Sequence, residues 1–187
     1  VAKDESYKSL TEVTIPSTVE YEGQTYSVVR IGGSAFWECK SITKVTLPST
    51  LKSIDAHAFY YCSSLSSIAI PDGVTYIGTT AFQNCSALTS VIIPDGVTKI
   101  ESHTFYGCSS LTSIIIPNGV TKIERYAFYY CSSLTSISIP TNVKEVQDYA
   151  FDACYSLKLI MIHASSIQEL CEGDLNQQLS ETARVGD

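Results

Sequence analysis

The sequence has few charged residues and no excess of basic ones. Of its 187 residues 17% are charged, 12 basic and 19 acidic, which gives a net charge of −7. Proteins that bind the phosphates of nucleic acids usually present a positive surface, so this balance argues against a nucleic-acid partner. No apolar run approaches the roughly 20 residues that a membrane-spanning helix needs. We therefore expect neither nucleic-acid binding nor a membrane span.

Motifs for metal binding and covalent catalysis are also missing from the sequence. The seven cysteines form no C-x-x-C pair and the three histidines no H-x-x-x-H spacing, which are arrangements typical of zinc sites. The serines include no Gly-x-Ser-x-Gly elbow, and there is no glycine-rich phosphate loop. We expect a protein that is not an enzyme and that uses no metal and no cofactor.

What the sequence does contain is a repeat of 23 residues. All six phenylalanines follow this spacing, at Phe36, Phe59, Phe82, Phe105, Phe128 and Phe151. A cysteine stands three residues after each of them, and five of the six prolines, from Pro48 to Pro140, keep the same period. A fixed period of this length is the signature of stacked repeats that form a solenoid.

Within one repeat the apolar residues predict two short strands. The first precedes the proline and the second follows it, as a middle repeat shows with Leu88, Val91 and Ile93, then Val97 and Ile100. The step of two and the β-branched side chains favour strands, and Asp95 with Gly96 supplies a turn between them. Stacking at ~4.8 Å would pair the strands in parallel and bury the apolar columns. The segment from the alanine or threonine through the phenylalanine to the cysteine would form a helical turn.

The register of the repeat breaks at both ends and divides the chain into three parts. Residues 1–33 would hold a first strand, an inserted extended loop or hairpin and a cap. Residues 34–162 would form six coils of the solenoid, and residues 163–187 a C-terminal cap helix and tail. Ser166 and Glu169 resemble a capping box, and apolar residues follow on one helical face, which predicts a helix over residues 165–180.

The pattern AFxxCxxLTxIxIPxxVTxI recurs throughout residues 34–162. It resembles the leucine-rich repeats of the BspA-like family, which occur on bacterial and some protozoal surface proteins. The resemblance implies a mainly-β solenoid of the leucine-rich-repeat type, in which the 23-residue coils share a parallel sheet. It also implies an extracellular or cell-surface location and adhesion to a protein partner, such as a host surface or matrix protein.

The six cysteines of the repeat are expected to be buried free thiols. Equivalent side chains on stacked coils point in the same direction, so they do not meet as a disulfide requires, and a small thiol suits a tight inner corner. The state of Cys171, which lies outside the repeat, stays open.

Two outward columns are candidates for a binding surface. One column directly follows the phenylalanines and would form an aromatic strip, with Trp37, Tyr60, Tyr106 and Tyr129, joined by Tyr61, Tyr126, Tyr130 and Tyr149 and interrupted by Gln83 and Asp152. Tyrosine and tryptophan are enriched at binding hot spots. The other column faces outward from the sheet and brings Ile92 next to Ile115. The aromatic side chains could instead cover the helical turns and fill the gaps between coils, and single exposed apolar residues such as the isoleucines are ordinary on protein surfaces.

The preferred hypothesis is a non-catalytic protein-binding or adhesion module that acts as a monomer or weak dimer. A rigid solenoid holds side chains in fixed relative positions, which lowers the ordering cost of association. Two alternatives stay open at this point, a structural spacer that displays another domain and a carbohydrate-binding surface built from aromatic rings.

Overall fold

This computed structural model describes residues 5–162. Most of these residues form a solenoid in which short parallel β-strands stack on one another and are joined by turns. The predicted solenoid with 23-residue coils is therefore confirmed. The expected cap helix over residues 165–180 and the state of Cys171 lie outside the described residues. Six coils are numbered below by their phenylalanines, from coil 1 with Phe36 to coil 6 with Phe151.

The leading strands of the coils form one seven-stranded sheet. Numbered along the chain with all other strands, they are β1 (Glu12–Thr14), β5 (Lys44–Thr46), β7 (Ser67–Ile68), β9 (Ser90–Ile92), β11 (Ser113–Ile115), β13 (Ser136–Ile139) and β15 (Leu159–Ile162). Each strand pairs in parallel with its neighbours, and from β5 onward the register places residues one period apart side by side, as with Val91 and Ile114. Between β1 and β5 the insertion lengthens this separation, and Val13 pairs with Val45. The core-facing columns therefore coincide along the whole sheet.

The second strands form two shorter parallel sheets on another side of the coil. One contains β4 (Arg30–Ile31), β6 (Ser53–Ile54) and β8 (Tyr76–Ile77), and the other β10 (Lys99–Ile100), β12 (Lys122–Ile123) and β14 (Glu145–Val146). In each strand the second residue is buried and the first faces outward, which is the alternation expected of a strand with one face on the core.

Among the described residues, the segment before coil 1 departs from this plan. A short 3₁₀-helix, Glu5–Ser9, precedes β1. The inserted residues after β1 form an antiparallel hairpin of β2 (Thr18–Tyr21) and β3 (Gln24–Ser27), one of the two forms that the sequence allowed. Every residue of both hairpin strands is exposed, so the insertion adds little to the core.

The phenylalanine column forms the centre of the core. Neighbouring rings are parallel to within 5° with centroids 5.1–5.6 Å apart, from Phe36 to Phe151. Phe59, Phe82, Phe105 and Phe128 are fully buried. One large ring per coil therefore fixes the separation of adjacent coils, because rings at this distance are in van der Waals contact.

The segment that carries each phenylalanine consists of overlapping turns, and no α-helix forms in these segments. In coil 2, Tyr60 N–H donates to the His57 carbonyl and Cys62 N–H to the Phe59 carbonyl, both at 3.1 Å. His57 and Tyr61 have φ of 59° and 57°. This alternation directs N–H groups of His57, Phe59 and Tyr61 to one side, where each donates to a carbonyl of coil 3.

Candidate functional site

The turn segments hold the aromatic side chains that the sequence singled out. Three backbone hydrogen bonds join each turn segment to the next, as when Thr80, Phe82 and Asn84 donate to carbonyls of coil 4 at 2.7–3.1 Å. A side chain that follows the buried phenylalanine is thereby fixed in direction and lies one coil from its equivalent. Residues of this column can therefore touch each other along the solenoid axis.

Four side chains of coils 1 and 2 form what we call the N-terminal aromatic cluster: Trp37, His57, Tyr60 and Tyr61. The rings of Trp37 and Tyr60 stack with centroids 4.2 Å apart, and His57 lies 5.4 Å from Trp37. Tyr61 meets Tyr60 edge to face at 4.9 Å. Trp37, His57 and Tyr60 are half-buried, and Tyr61 is more exposed.

Seven side chains of coils 4 to 6 form the C-terminal aromatic cluster: His103, Tyr106, Tyr126, Tyr129, Tyr130, Tyr149 and Tyr155. Tyr106 stacks on Tyr129 at 5.0 Å, and Tyr126 stacks on both His103 at 4.9 Å and Tyr149 at 5.1 Å. Two parallel rows of rings thus run across adjacent coils and touch each other where Tyr126 meets Tyr129 at 5.5 Å.

Coil 3 separates the two clusters. Thr80, Gln83 and Asn84 occupy its three positions, and the predicted strip is interrupted there by half-buried polar side chains. Next to them Gly107 has φ of 70°, and a Cβ at this glycine would collide with the side chain of Asn84. The surface therefore consists of two aromatic clusters with an amide-lined gap between them.

The two histidines of these clusters were not among the candidate residues that the sequence singled out. The signal was present, since His57 and His103 share the column of Tyr126 and Tyr149. Desolvation and the nearby charge of Arg125 lower the pKa of His103, while its Nδ1 lies 2.7 Å from Ser102 Oγ. The ring that stacks in the C-terminal cluster is therefore mainly neutral at pH 7.

The outward face of the seven-stranded sheet carries the second candidate surface. Ile92 and Ile115 pair directly in the register and are 72% and 70% exposed. Ser90 and Ser113 stand beside them in the same strands. A shallow groove of about 420 Å³ borders Ile115 and is lined further by Asn118, Ser138, Pro140 and Thr141. The apolar spot is small and surrounded by uncharged polar groups.

The cysteine column is buried, and its six thiols are free, as predicted. Each thiol from Cys62 onward donates to the carbonyl of the phenylalanine in the preceding coil, with Sγ–O distances of 3.1–3.2 Å. Burial raises the pKa of Cys62 and of Cys154 to about 12. Such thiols are poor nucleophiles, because the thiolate is the reactive form.

The described residues contain no group of three or more histidine, cysteine or acidic side chains that could hold a metal ion. Among these residues, Lys99 Nζ forms ion pairs with two carboxylates, that of Glu101 at 3.2 Å and that of Glu124 at 2.8 Å. Among residues 5–162, no helix combines the length and the apolar character that crossing a membrane demands.

Comparison with known proteins gives one consistent match. The profile of the BspA type leucine rich repeat region matches residues 5–110 and 29–158, with six copies. No curated protein matches the chain.

Three solved structures of bacterial leucine-rich repeat proteins are similar to the chain. The one from T. pallidum is 34% identical with a TM-score of 0.75, over 81% of this chain and 69% of that protein. Those from Bacteroides ovatus and Eubacterium ventriosum are 31% and 27% identical, with TM-scores of 0.65 and 0.69. They match 80% and 86% of this chain, which spans only 45% and 47% of their own length.

Proposed function

We propose that this chain, which belongs to the family of proteins with BspA-type leucine-rich repeats, is a non-catalytic module that binds another protein. The family and the solenoid fold together support a repeat module that binds protein. The finer proposal is adhesion to a host surface or matrix protein by a module located outside the cell or on its surface. This part rests on the resemblance of the repeats to those of surface proteins.

The single observation that carries the proposal is the pair of aromatic clusters on a rigid backbone. Their rings stack at 4.2–5.1 Å on neighbouring coils, and the turn segments beneath them are joined by backbone hydrogen bonds. Side chains that are already ordered lose little entropy when a partner binds, so their contact area contributes more fully to affinity.

The way in which the rings stack favours a protein as partner over a carbohydrate. A sugar ring packs on an open aromatic face, but the stacked faces of Tyr106 and Tyr129 cover each other. Both side chains are half-buried. The apolar ring and polar hydroxyl of a tyrosine suit the mixed apolar and hydrogen-bonding contacts of a protein interface.

The experiment compares binding of the chain to a panel of immobilised extracellular-matrix proteins before and after loss of the C-terminal cluster. Tyr106→Ala combined with Tyr129→Ala should weaken capture at least about tenfold, since clustered tyrosines are typical hot spots. Tyr76→Ala is the matched control, because Tyr76 is an exposed tyrosine on one of the short sheets. Equal affinity of the double variant and the control would remove the aromatic clusters as the binding site.

A second arm of the experiment concerns the sheet face. Ile92→Ser combined with Ile115→Ser should leave the melting temperature nearly unchanged, since both side chains are mostly exposed. If the sheet face contributes to the interface, the double variant loses affinity for the same matrix protein. The spot is too small to hold two copies of the chain together, because stable interfaces bury about 800 Å² per partner. The chain should therefore sediment as a monomer.

A further inference from the structure

The C-terminal aromatic cluster ends in an open corner formed by Tyr129, Tyr130 and Tyr155. The rings of Tyr130 and Tyr155 are nearly perpendicular, at 84° with centroids 5.9 Å apart, and Tyr129 lies 6.4 Å from Tyr130. Tyr130 is 47% exposed and Tyr155 73%. We call these three side chains the aromatic corner. Tyr129 also stacks on Tyr106, whereas Tyr130 and Tyr155 meet edge to face and are the more exposed members of the corner.

A carboxylate borders the aromatic corner. Asp152 stands in the column that holds Tyr129 one coil earlier, and its carbonyl accepts the Tyr130 N–H at 3.0 Å. Its Oδ1 accepts the N–H of Ala153 at 2.9 Å. Desolvation first, and then the charge of Asp152, raises the pKa of Tyr129. The corner therefore combines π-faces with a negative charge.

The repeat supplies an internal comparison for this arrangement. Tyr61 occupies the position of Tyr130 three coils earlier, and there Lys40 Nζ lies 5.9 Å from the centroid of the Tyr61 ring. Lys40 also pairs with Glu38 at 3.9 Å. The position equivalent to Lys40 beside Tyr130 holds Ser109. The tyrosine of coil 2 thus has an ammonium group of the chain near its ring, whereas a serine replaces that lysine at the equivalent position for the tyrosine of coil 5.

We propose that the aromatic corner binds a lysine or arginine side chain of the protein partner. The proposal rests on the proposed function, because it names the chemistry that one of the two clusters recognises. A cation within about 6 Å of a tyrosine centroid is attracted by the ring, and Asp152 complements its charge. The net charge of −7 favours the approach of a basic segment, since electrostatic complementarity raises association rates.

The test uses two blocked peptides on the full chain. One is Gly-Lys-Gly-Arg-Gly, and the other replaces lysine by norleucine and arginine by citrulline, which removes the charge at similar size. Binding is followed by NMR through the ring protons of Tyr130 and Tyr155. The basic peptide should shift these signals, and the neutral peptide should need at least about a fivefold higher concentration, the range of a cation–π contact.

Two variants locate the site. Tyr155→Ala removes a mostly exposed ring, so it should leave the fold intact and weaken the basic peptide at least about threefold. Ser109→Lys should place an ammonium group over Tyr130, as Lys40 is placed over Tyr61, and should compete with the peptide. Ser90→Lys on the sheet face makes the same charge change away from the corner and serves as the matched control.

The reverse substitution tests the internal comparison. Lys40→Ser should open the ring of Tyr61, so that the basic peptide shifts the Tyr61 signals as well as those of Tyr130. Lys44→Ser is the control, since Lys44 is an exposed lysine on the seven-stranded sheet and its loss changes the net charge equally.

Two results would overturn the proposal. One is equal binding of the basic and neutral peptides. The other is a combination of two findings: Tyr155→Ala binds the basic peptide as tightly as the unsubstituted chain, and Ser109→Lys and Ser90→Lys bind it with equal affinity. Because no protein partner is needed, this outcome is independent of the capture experiment above. Peptide binding at the corner with unchanged capture by the Tyr106 and Tyr129 double variant would remove the stacked tyrosines as the site of capture and leave cation binding by the corner in place.

Discussion

The thiol of Cys85 donates to the carbonyl of Phe59 with an Sγ–O distance of 3.2 Å, and both residues are fully buried. The same carbonyl accepts the N–H of Cys62 at 3.1 Å. One cysteine therefore stabilises the turn of its own coil through its backbone, while the next contributes its side chain. The cysteine side chains therefore form hydrogen bonds as well as fitting a small space in the core. The sequence alone did not show these hydrogen bonds.

This bonding predicts that the six thiols of the repeat are inert in the folded chain. Burial raises the pKa of Cys62 and Cys154 to about 12 and raises that of Cys85, Cys108 and Cys131 well above the ordinary value of a thiol, so the thiolate fraction at pH 8 is very small. In a Cys171→Ser background, a maleimide reagent should label none of the six within minutes and all of them in denaturant. Rapid labelling of the native protein would contradict the burial of the column.

The phenylalanine stack predicts a large cost for its truncation. Phe82→Ala removes a fully buried ring that contacts the rings of Phe59 and Phe105, and the cavity should lower the free energy of unfolding by about 3–5 kcal/mol. Gln83→Ala, at the next residue, is the control and should cost less than about 0.5 kcal/mol. Denaturant unfolding measures both, and similar effects would show that the phenylalanine column does not form the core.

How much of this structure could be predicted follows from the repeat itself. A column of identical residues must occupy equivalent positions, so the sheet, the buried phenylalanines and the outward position of Ile92 could be predicted. The turn conformations could not, because residues such as Thr80 and His57 have positive φ without being glycine. Backbone hydrogen bonds between coils impose that conformation. Such bonds join residues that are distant in the sequence, so a local sequence pattern does not reveal them. The division of the aromatic strip at Gln83 was visible in the sequence.

The positive φ of Thr80 predicts a stabilising substitution. At φ of 57° a β-branched side chain is strained, whereas asparagine adopts this region readily. Thr80→Asn should therefore raise the free energy of unfolding by about 1 kcal/mol. Thr98→Asn is the control, since Thr98 is exposed and has no positive φ. A loss of stability in Thr80→Asn, measured by denaturant unfolding, would mean that the threonine hydroxyl bond to Thr79 outweighs the backbone strain.

The ion pairs of Lys99 predict how stability depends on pH. Desolvation acts to raise the pKa of Glu124, but the hydrogen bond and charge of Lys99 and the N–H of Ser102 outweigh it and lower that pKa below its ordinary 4.5. A carboxylate with a lowered folded pKa stabilises the fold above its unfolded pKa, and this contribution is lost as the pH falls through the folded value. For Glu101 desolvation dominates and raises the pKa, so its ionisation opposes folding.

Glu124→Gln should therefore cost about 1 kcal/mol of unfolding free energy at pH 7, and its difference from the unsubstituted chain should close as the pH falls below 4. Glu101→Gln should cost less at pH 7, because removing the charge also removes a desolvation penalty, although the contact with Lys99 weakens. Denaturant unfolding at several pH values measures both variants. A difference for Glu124→Gln that persists unchanged at pH 3 would show that packing of the side chain, and not its charge, stabilises this part of the solenoid.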